Sequence, residues 1–171
     1  MPYRSWSHEC AESDRLERLS RPRCDRCGEA GDLEENVIVS GASDMHPAYF
    51  ETRFRVHTPI EWPDDFVIIS AYAPTGQDWS DERNEQAHAE LRGALRECGT
   101  WMRDILGFSP ETGHAEPSYA AELPLHAACA LGLRFQQDAI FHVRGDALSV
   151  THCDERRGLV RVGAFRELVE S

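Results

Sequence analysis

Glu116, in the stretch His-Ala-Glu-Pro-Ser at residues 114–118, is the candidate catalytic residue of this sequence. A glutamate whose pKa is raised by burial can act as a general acid or base. The His-x-Glu spacing also occurs in zinc deaminases, but their zinc site needs a downstream Pro-Cys-x-x-Cys segment, and none follows here. The structural alternative is that Glu116 only accepts hydrogen bonds from backbone N–H groups.

Cys24 and Cys27 form a Cys-x-x-Cys pair, which is one half of a structural zinc site. His8 and Cys10 could supply the other two ligands, although His-x-Cys is an uncommon second half. The alternative is a pair of free thiols in a polar segment. We therefore predict no cofactor and no metal at the main site, and zinc at Cys24 and Cys27 stays an open alternative.

Residues 71–76, Ala-Tyr-Ala-Pro-Thr-Gly, connect a buried strand to a helix and could hold a ligand. They are not a dinucleotide loop, because they contain one glycine, and not a P-loop, because the chain has no lysine. The simpler interpretation is a connection in which Pro74 and Gly76 set the turn. Asn84, early in the helix on its apolar side, would then bond back to the turn or contact a ligand.

Acidic residues dominate the charge of the chain, with 30 Asp and Glu against 18 basic residues, all of them arginine, and a formal net charge of −12. Such a surface repels phosphate backbones, so nucleic acid is not expected as the main partner. The absence of lysine excludes Schiff-base and kinase-type lysine sites. No apolar run reaches the length of a membrane span, and the first residues do not resemble a signal peptide. We therefore expect a cytoplasmic location and no membrane partner.

The composition divides the chain into two segments. Residues 1–45 are rich in Arg, Asp and Glu, are interrupted by Pro22, Gly28 and Gly31, and are predicted to be a polar, partly disordered extension. Residues 46–171 are predicted to be a compact domain, because regular hydrophobic patterns begin there.

Hydrophobic periodicity predicts an α+β fold for the compact domain. Alternation predicts a strand over residues 49–58, and the apolar run 66–72 predicts a central strand covered on both faces. Helical spacing predicts a helix over residues 80–98, and a second helix is expected after Pro124. Further short elements are expected as strands at 101–108, 118–123, 139–145 and 147–153 and as a helix at 164–170. The order β-β-α-β-β-α-β-β predicts a two-layer sandwich with a mixed or antiparallel sheet and two main helices.

Polar residues at the ends of these elements are expected to meet at one edge of the sheet. Element ends leave backbone groups unpaired and let side chains converge, so Asn84, Glu116 and Gln137 should approach one another near Tyr72 and Gly76. They would form either a buried hydrogen-bond network that fastens the loops or the wall of a ligand pocket. With Ser118, the predicted polar cluster comprises Tyr72, Gly76, Asn84, Glu116, Ser118 and Gln137.

Four short motifs carry a resemblance to a known family. Its pattern is an Ala-aromatic-Asn-Pro-x-Gly turn, an Asn early in a helix, Trp-x-Glu-x-Ser and Phe-x-Gln-Asn-Ala-Ile. The matching residues are Ala71, Tyr72, Pro74, Gly76, Asn84, Glu116, Ser118, Phe135, Gln137, Ala139 and Ile140. On these residues, the span 49–168 resembles a bacterial domain-of-unknown-function family, number 3293.

This sequence departs from the family pattern at three positions. Ala73 replaces the Asn of the turn, His114 replaces the Trp, and Asp138 replaces the second Asn. A role that needs an amide at position 73 or 138 therefore does not carry over. The resemblance supports the fold class and implies no activity.

Two functions are compatible with these observations. We favour a binding module with a regulatory role, whose ligand is a small molecule or a protein, because the sequence shows no recognisable set of catalytic residues. The alternative is a small hydrolase or transferase that uses Glu116 as acid or base. A pocket in which Glu116 meets a second titratable group would favour the enzyme, and a solvated Glu116 beside a broad apolar patch would favour the module.

Overall fold

The computed structural model describes residues 44–74 and 76–171, which form an α+β unit around a mixed sheet. The helices of this range are α1 (Ala48–Glu51), α2 (Asp81–Glu97), α3 (Leu125–Arg134) and α4 (Phe165–Leu168). The strands are β1 (Arg53–Arg55), β2 (Asp65–Ser70), β3 (Met102–Phe108), β4 (Ala115–Ala121), β5 (Ala139–Arg144), β6 (Ala147–His152), β7 (Val160–Ala164) and β8 (Val169–Glu170). The predictions for residues 1–43, including zinc at Cys24 and Cys27, lie outside the described residues.

All eight strands belong to one sheet, with the order β7-β6-β5-β2-β4-β3-β1-β8. The pairings are antiparallel except that of β1 with β8, which is parallel. In the described part of the chain, no helix has the length and hydrophobicity needed to cross a membrane.

Strand β2 lies at the centre of the sheet, between β4 and β5, as its continuous apolar run predicts. Successive side chains of a strand point to opposite faces. Phe66 and Ile68 accordingly pack in one core, and Val67 and Ile69 pack in a second core on the other face. All four side chains are buried, so both faces of this strand are covered.

The two main helices cover one face of the sheet. Leu91 and Leu95 of α2 and Cys129 of α3 pack with Val67 and Ile69 in one cluster. The spacing of four between Leu91 and Leu95 places both on one side of the helix, as predicted. Helix α2 begins after Ser80, whose hydroxyl accepts a hydrogen bond of 3.3 Å from the N–H of Arg83.

A second core fills the other face of the sheet, as expected for a central strand covered on both faces, but the curl that forms this core was not predicted. The rings of Phe54 and Phe141 meet edge to face with centroids 5.2 Å apart, although three strands separate β1 from β5 in the sheet. The sheet must therefore curl to bring its two sides together. Because the concave face is filled by its own strands and by Phe165, the predicted two-layer sandwich is not confirmed.

Two of the predicted strands differ from the structure. The strand predicted at 49–58 is α1 followed by the short β1, because Pro47 begins a helix and Tyr49 packs on the ring of Phe141. The strand predicted at 118–123 begins earlier, at Ala115, where it pairs with β3 alone. Pro117 has no N–H to donate, but it is tolerated because β2 ends at Ser70, opposite Ser118. No residue of β2 lies opposite Pro117, so no hydrogen bond between these two strands is lost.

The end of the chain contains two strands that were not predicted. Strand β7 pairs with β6, and β8 pairs with β1. Neither segment has a hydrophobic pattern long enough to predict a strand. Each becomes a strand through its pairing with a strand that comes earlier in the chain. The predicted order β-β-α-β-β-α-β-β is therefore incomplete at both ends, while its middle, from β2 to β6, agrees with the structure.

Candidate ligand-binding cavity

A cavity of about 450 Å³ opens at one end of the curled sheet. The C-terminal ends of β2 and β3 and the N-terminal ends of β4 and β5 meet there, because these strands pair antiparallel. Helix α1 and the turn between β2 and α2 complete the wall. Polar side chains, together with backbone N–H and C=O groups beyond the ends of the strand ladders, are thus concentrated around this opening.

All six residues of the predicted polar cluster line this cavity. They are Tyr72, Gly76, Asn84, Glu116, Ser118 and Gln137. The three family positions at which this chain differs, Ala73, His114 and Asp138, line it as well. The structure brings these residues together, and their role in binding stays a prediction.

Asn84 and Gln137 fasten the turn that follows β2. The N–H of Ala73 donates to Asn84 Oδ1 over 3.0 Å. The amide nitrogen of Gln137 donates to the carbonyl of Tyr72 over 2.8 Å and to that of Phe135 over 3.2 Å. Ala73 is therefore held by a residue of α2, and Tyr72 by a residue that follows α3. This part of the cavity wall is held in place by the chain itself.

Gly76 and Ser118 shape the wall through backbone geometry and burial. Gly76 has φ of +81°, in the left-handed region that favours glycine. Ser118 is buried, and its hydroxyl donates to the carbonyl of Glu116 over 3.3 Å. The nearby hydroxyl of Ser70 accepts a bond from the N–H of Tyr72. The two serines mainly satisfy neighbouring polar groups at the strand ends.

Glu116 is paired with a second titratable group. Its Oε1 lies 2.7 Å from Nε2 of His114, and the side chains are 30% and 70% exposed, respectively. In the described part of the chain, this carboxylate bonds to the imidazole rather than to a backbone N–H. A carboxylate and an imidazole in contact at the mouth of a cavity can accept, hold or pass on a proton.

Tyr72 carries a hydroxyl that stays protonated at neutral pH. Its pKa is raised by burial and, to a smaller extent, by the negative charges of Glu85, Asp81 and Glu116. The ring also meets His88 edge to face. Burial and the nearby carboxylates act in the same direction, because both disfavour a phenolate.

The sequence did not reveal the acidic and aromatic residues that make up much of the wall. Besides the predicted Glu116 and Tyr72, the carboxylates are Glu51, Asp78 and Asp138, and the rings are Tyr49, Phe54, Trp79, Phe108 and Phe141. They come from distant segments and follow no spacing. The acidic composition of the chain was the one signal available, and it does not indicate position.

Metal ligands do not cluster in the described ranges. Within residues 44–74 and 76–171, no group of three or more His, Cys, Asp or Glu side chains could hold a metal ion. The carboxylates of the cavity come from different elements: Glu51 from α1, Glu116 from β4, Asp78 from the segment before α2 and Asp138 from the segment after α3.

The chain matches a known family. Residues 69–140 match the model of a family described as "Protein of unknown function (DUF3293)". The resemblance is confirmed. It covers a shorter span than the expected 49–168, and it includes all six residues of the polar cluster. Comparison with curated proteins and with solved structures gives no match. Function must therefore be argued from the cavity.

Proposed function

We propose that this protein is a small-molecule binding module and that its site is the cavity at the strand ends. The observation that carries the proposal is that polar residues from separate elements line one cavity of about 450 Å³. This volume lies within the range of roughly 300–1,000 Å³ that is usual for small-molecule sites. A concave site mixing aromatic and polar groups suits a small molecule better than the flat surface of a protein partner.

The fastened turn supports this proposal. The hydrogen bonds of Asn84 and Gln137 to the turn hold Tyr72 and Ala73 in place before a ligand arrives. Binding to a wall that is already ordered costs less conformational entropy than binding to a mobile loop. A ligand could therefore be held by few direct contacts.

Binding can be tested by thermal denaturation of the full chain with a panel of acidic, basic and neutral small molecules. We expect at least one compound to raise the melting temperature, because a ligand that binds only the folded state stabilises it. Ala48→Trp places a large side chain at an exposed position of the wall and should abolish this stabilisation. Ala130→Trp, at an exposed position outside the wall, is the matched control and should retain it.

Two results would contradict the proposal. One is that no chemical class stabilises the wild-type chain. The other is that the active compounds stabilise Ala48→Trp as strongly as Ala130→Trp, since binding would then occur elsewhere.

A second candidate function is a small hydrolase or transferase in which Glu116 acts as acid or base. The contact of 2.7 Å between Glu116 and His114 favours it, because a general acid or base must be close to the group with which it exchanges a proton. Compounds identified by the thermal assay can be incubated with the protein and analysed by mass spectrometry. An enzyme would convert one of them, and Glu116→Gln would keep its affinity but lose turnover. Unchanged compounds, or turnover that survives Glu116→Gln, would rule out this role.

A further inference from the structure

The cavity has an excess of negative charge over positive charge. Four carboxylates line it, those of Glu51, Asp78, Glu116 and Asp138. Among the described residues that line it, none is an arginine, and the chain contains no lysine. A concave surface lined by charges of one sign focuses its potential and attracts ligands of the opposite sign.

Three of these carboxylates have no counter-charge among the residues that the structure describes. Within the described ranges, the side chains of Glu51, Asp78 and Asp138 make no hydrogen bond or ion pair. Glu116 differs, because its carboxylate contacts His114. These three carboxylates, free within the described ranges, can therefore accept hydrogen bonds from a cationic ligand without breaking a contact there.

The placement of the three carboxylates favours an organic cation over a metal ion. Glu51 belongs to α1, Asp78 precedes α2 and Asp138 follows α3, so they approach from different elements. In the part of the chain that the structure describes, they form no cluster that could coordinate a metal. Several amino groups joined by a spacer can reach separated carboxylates, whereas a single metal ion cannot.

The aromatic rings of the wall suit the apolar part of such a ligand. Tyr49, Tyr72 and Phe108 line the cavity and are partly exposed, so their rings offer surface to a ligand. Methylene groups that pack on these rings leave water, while the charged ends stay near the carboxylates. A succinate-like acid would meet uncompensated carboxylates, and a neutral diol would leave their charge unpaired.

We propose that the ligand is an aliphatic diamine or a related small polyamine; this rests on the proposed binding function. Its methylene chain lies against the aromatic wall, and its ammonium groups bind the free carboxylates of Glu51, Asp78 and Asp138.

Isothermal titration calorimetry of the full chain tests this class with three four-carbon probes that differ in their end groups: putrescine, 1,4-butanediol and succinate. We expect saturable binding of putrescine and binding at least tenfold weaker for the diol and the diacid. The combined change Asp78→Asn and Asp138→Asn should weaken putrescine binding at least tenfold. Both side chains are exposed and unpaired within the described residues, so this variant should fold.

The control variant combines Glu97→Gln and Glu155→Gln, which remove the same charge at exposed positions outside the cavity wall. It should bind putrescine like the wild type. Equal weakening in both variants would overturn the proposal, because attraction to the overall negative charge would then explain the binding. Preferential binding of butanediol or succinate would also overturn it. If butanediol or succinate binds and Ala48→Trp abolishes that binding, the diamine proposal fails while the proposed binding function stands. The failure of one proposal can therefore be told from the failure of the other.

Discussion

Phe66→Ala is expected to lower the free energy of unfolding by about 3–5 kcal/mol. The Phe66 side chain is fully buried and stacks on Trp62 with ring centroids 5.2 Å apart. It also meets Phe165 at 5.3 Å and Trp101 at 6.1 Å. Removing the ring loses this burial and leaves a cavity among large side chains that cannot fill it by small movements. Urea denaturation of the full chain measures the loss.

This substitution distinguishes the curled sheet from a simple two-layer sandwich. In such a sandwich, with its outer face open to water, Phe66 would be partly solvated and its loss would cost little. Leu133→Ala is the control, because Leu133 is 49% exposed on α3 and its truncation should cost less than about 1 kcal/mol. A loss of similar size in the two variants would show that the concave core is not packed as described.

The central elements could be predicted because their patterns are local. The continuous apolar run of β2, the helical spacing of Leu91 and Leu95 and the glycine turn between β5 and β6 each specify one structure over a few residues. The curl could not be predicted, because it depends on contacts such as that of Phe54 with Phe141 between segments far apart in sequence. The same reason explains why the parallel pairing of β8 with β1 was missed.

The candidate site was predictable to a similar extent. Asn84, Glu116 and Gln137 lie at element ends, and the antiparallel order of β2, β4 and β5 brings those ends together. The carboxylates were not predicted as site residues, since Glu51 lies on a helix that was predicted as a strand, Asp78 follows no motif, and Asp138 stands where the family pattern has an amide. Element ends therefore predicted which residues meet at the cavity, while the carboxylates and rings of its wall required the structure.

Gln137→Ala is expected to lower the free energy of unfolding by about 1–3 kcal/mol, because it leaves acceptors unpaired. The Gln137 amide nitrogen donates partly buried hydrogen bonds to the carbonyls of Tyr72 and Phe135. Gln137→Glu provides a sharper test. It keeps the size of the side chain but replaces the donor with a carboxylate oxygen, which repels both carbonyls at neutral pH. We therefore expect Gln137→Glu to destabilise the chain at least as much as Gln137→Ala.

Gln86→Ala is the matched control, since the exposed Gln86 amide bonds only to the exposed Glu90 in the described ranges and should contribute little. Chemical denaturation gives the stability of each variant, and the thermal assay gives its response to ligand. A fastening role predicts lost stability in both Gln137 variants, with weaker binding as a consequence of a loosened turn. Wild-type stability combined with lost binding would instead show that Gln137 contacts the ligand directly. In that case the hydrogen bond from Gln137 to Tyr72 would not be what holds the wall of the cavity.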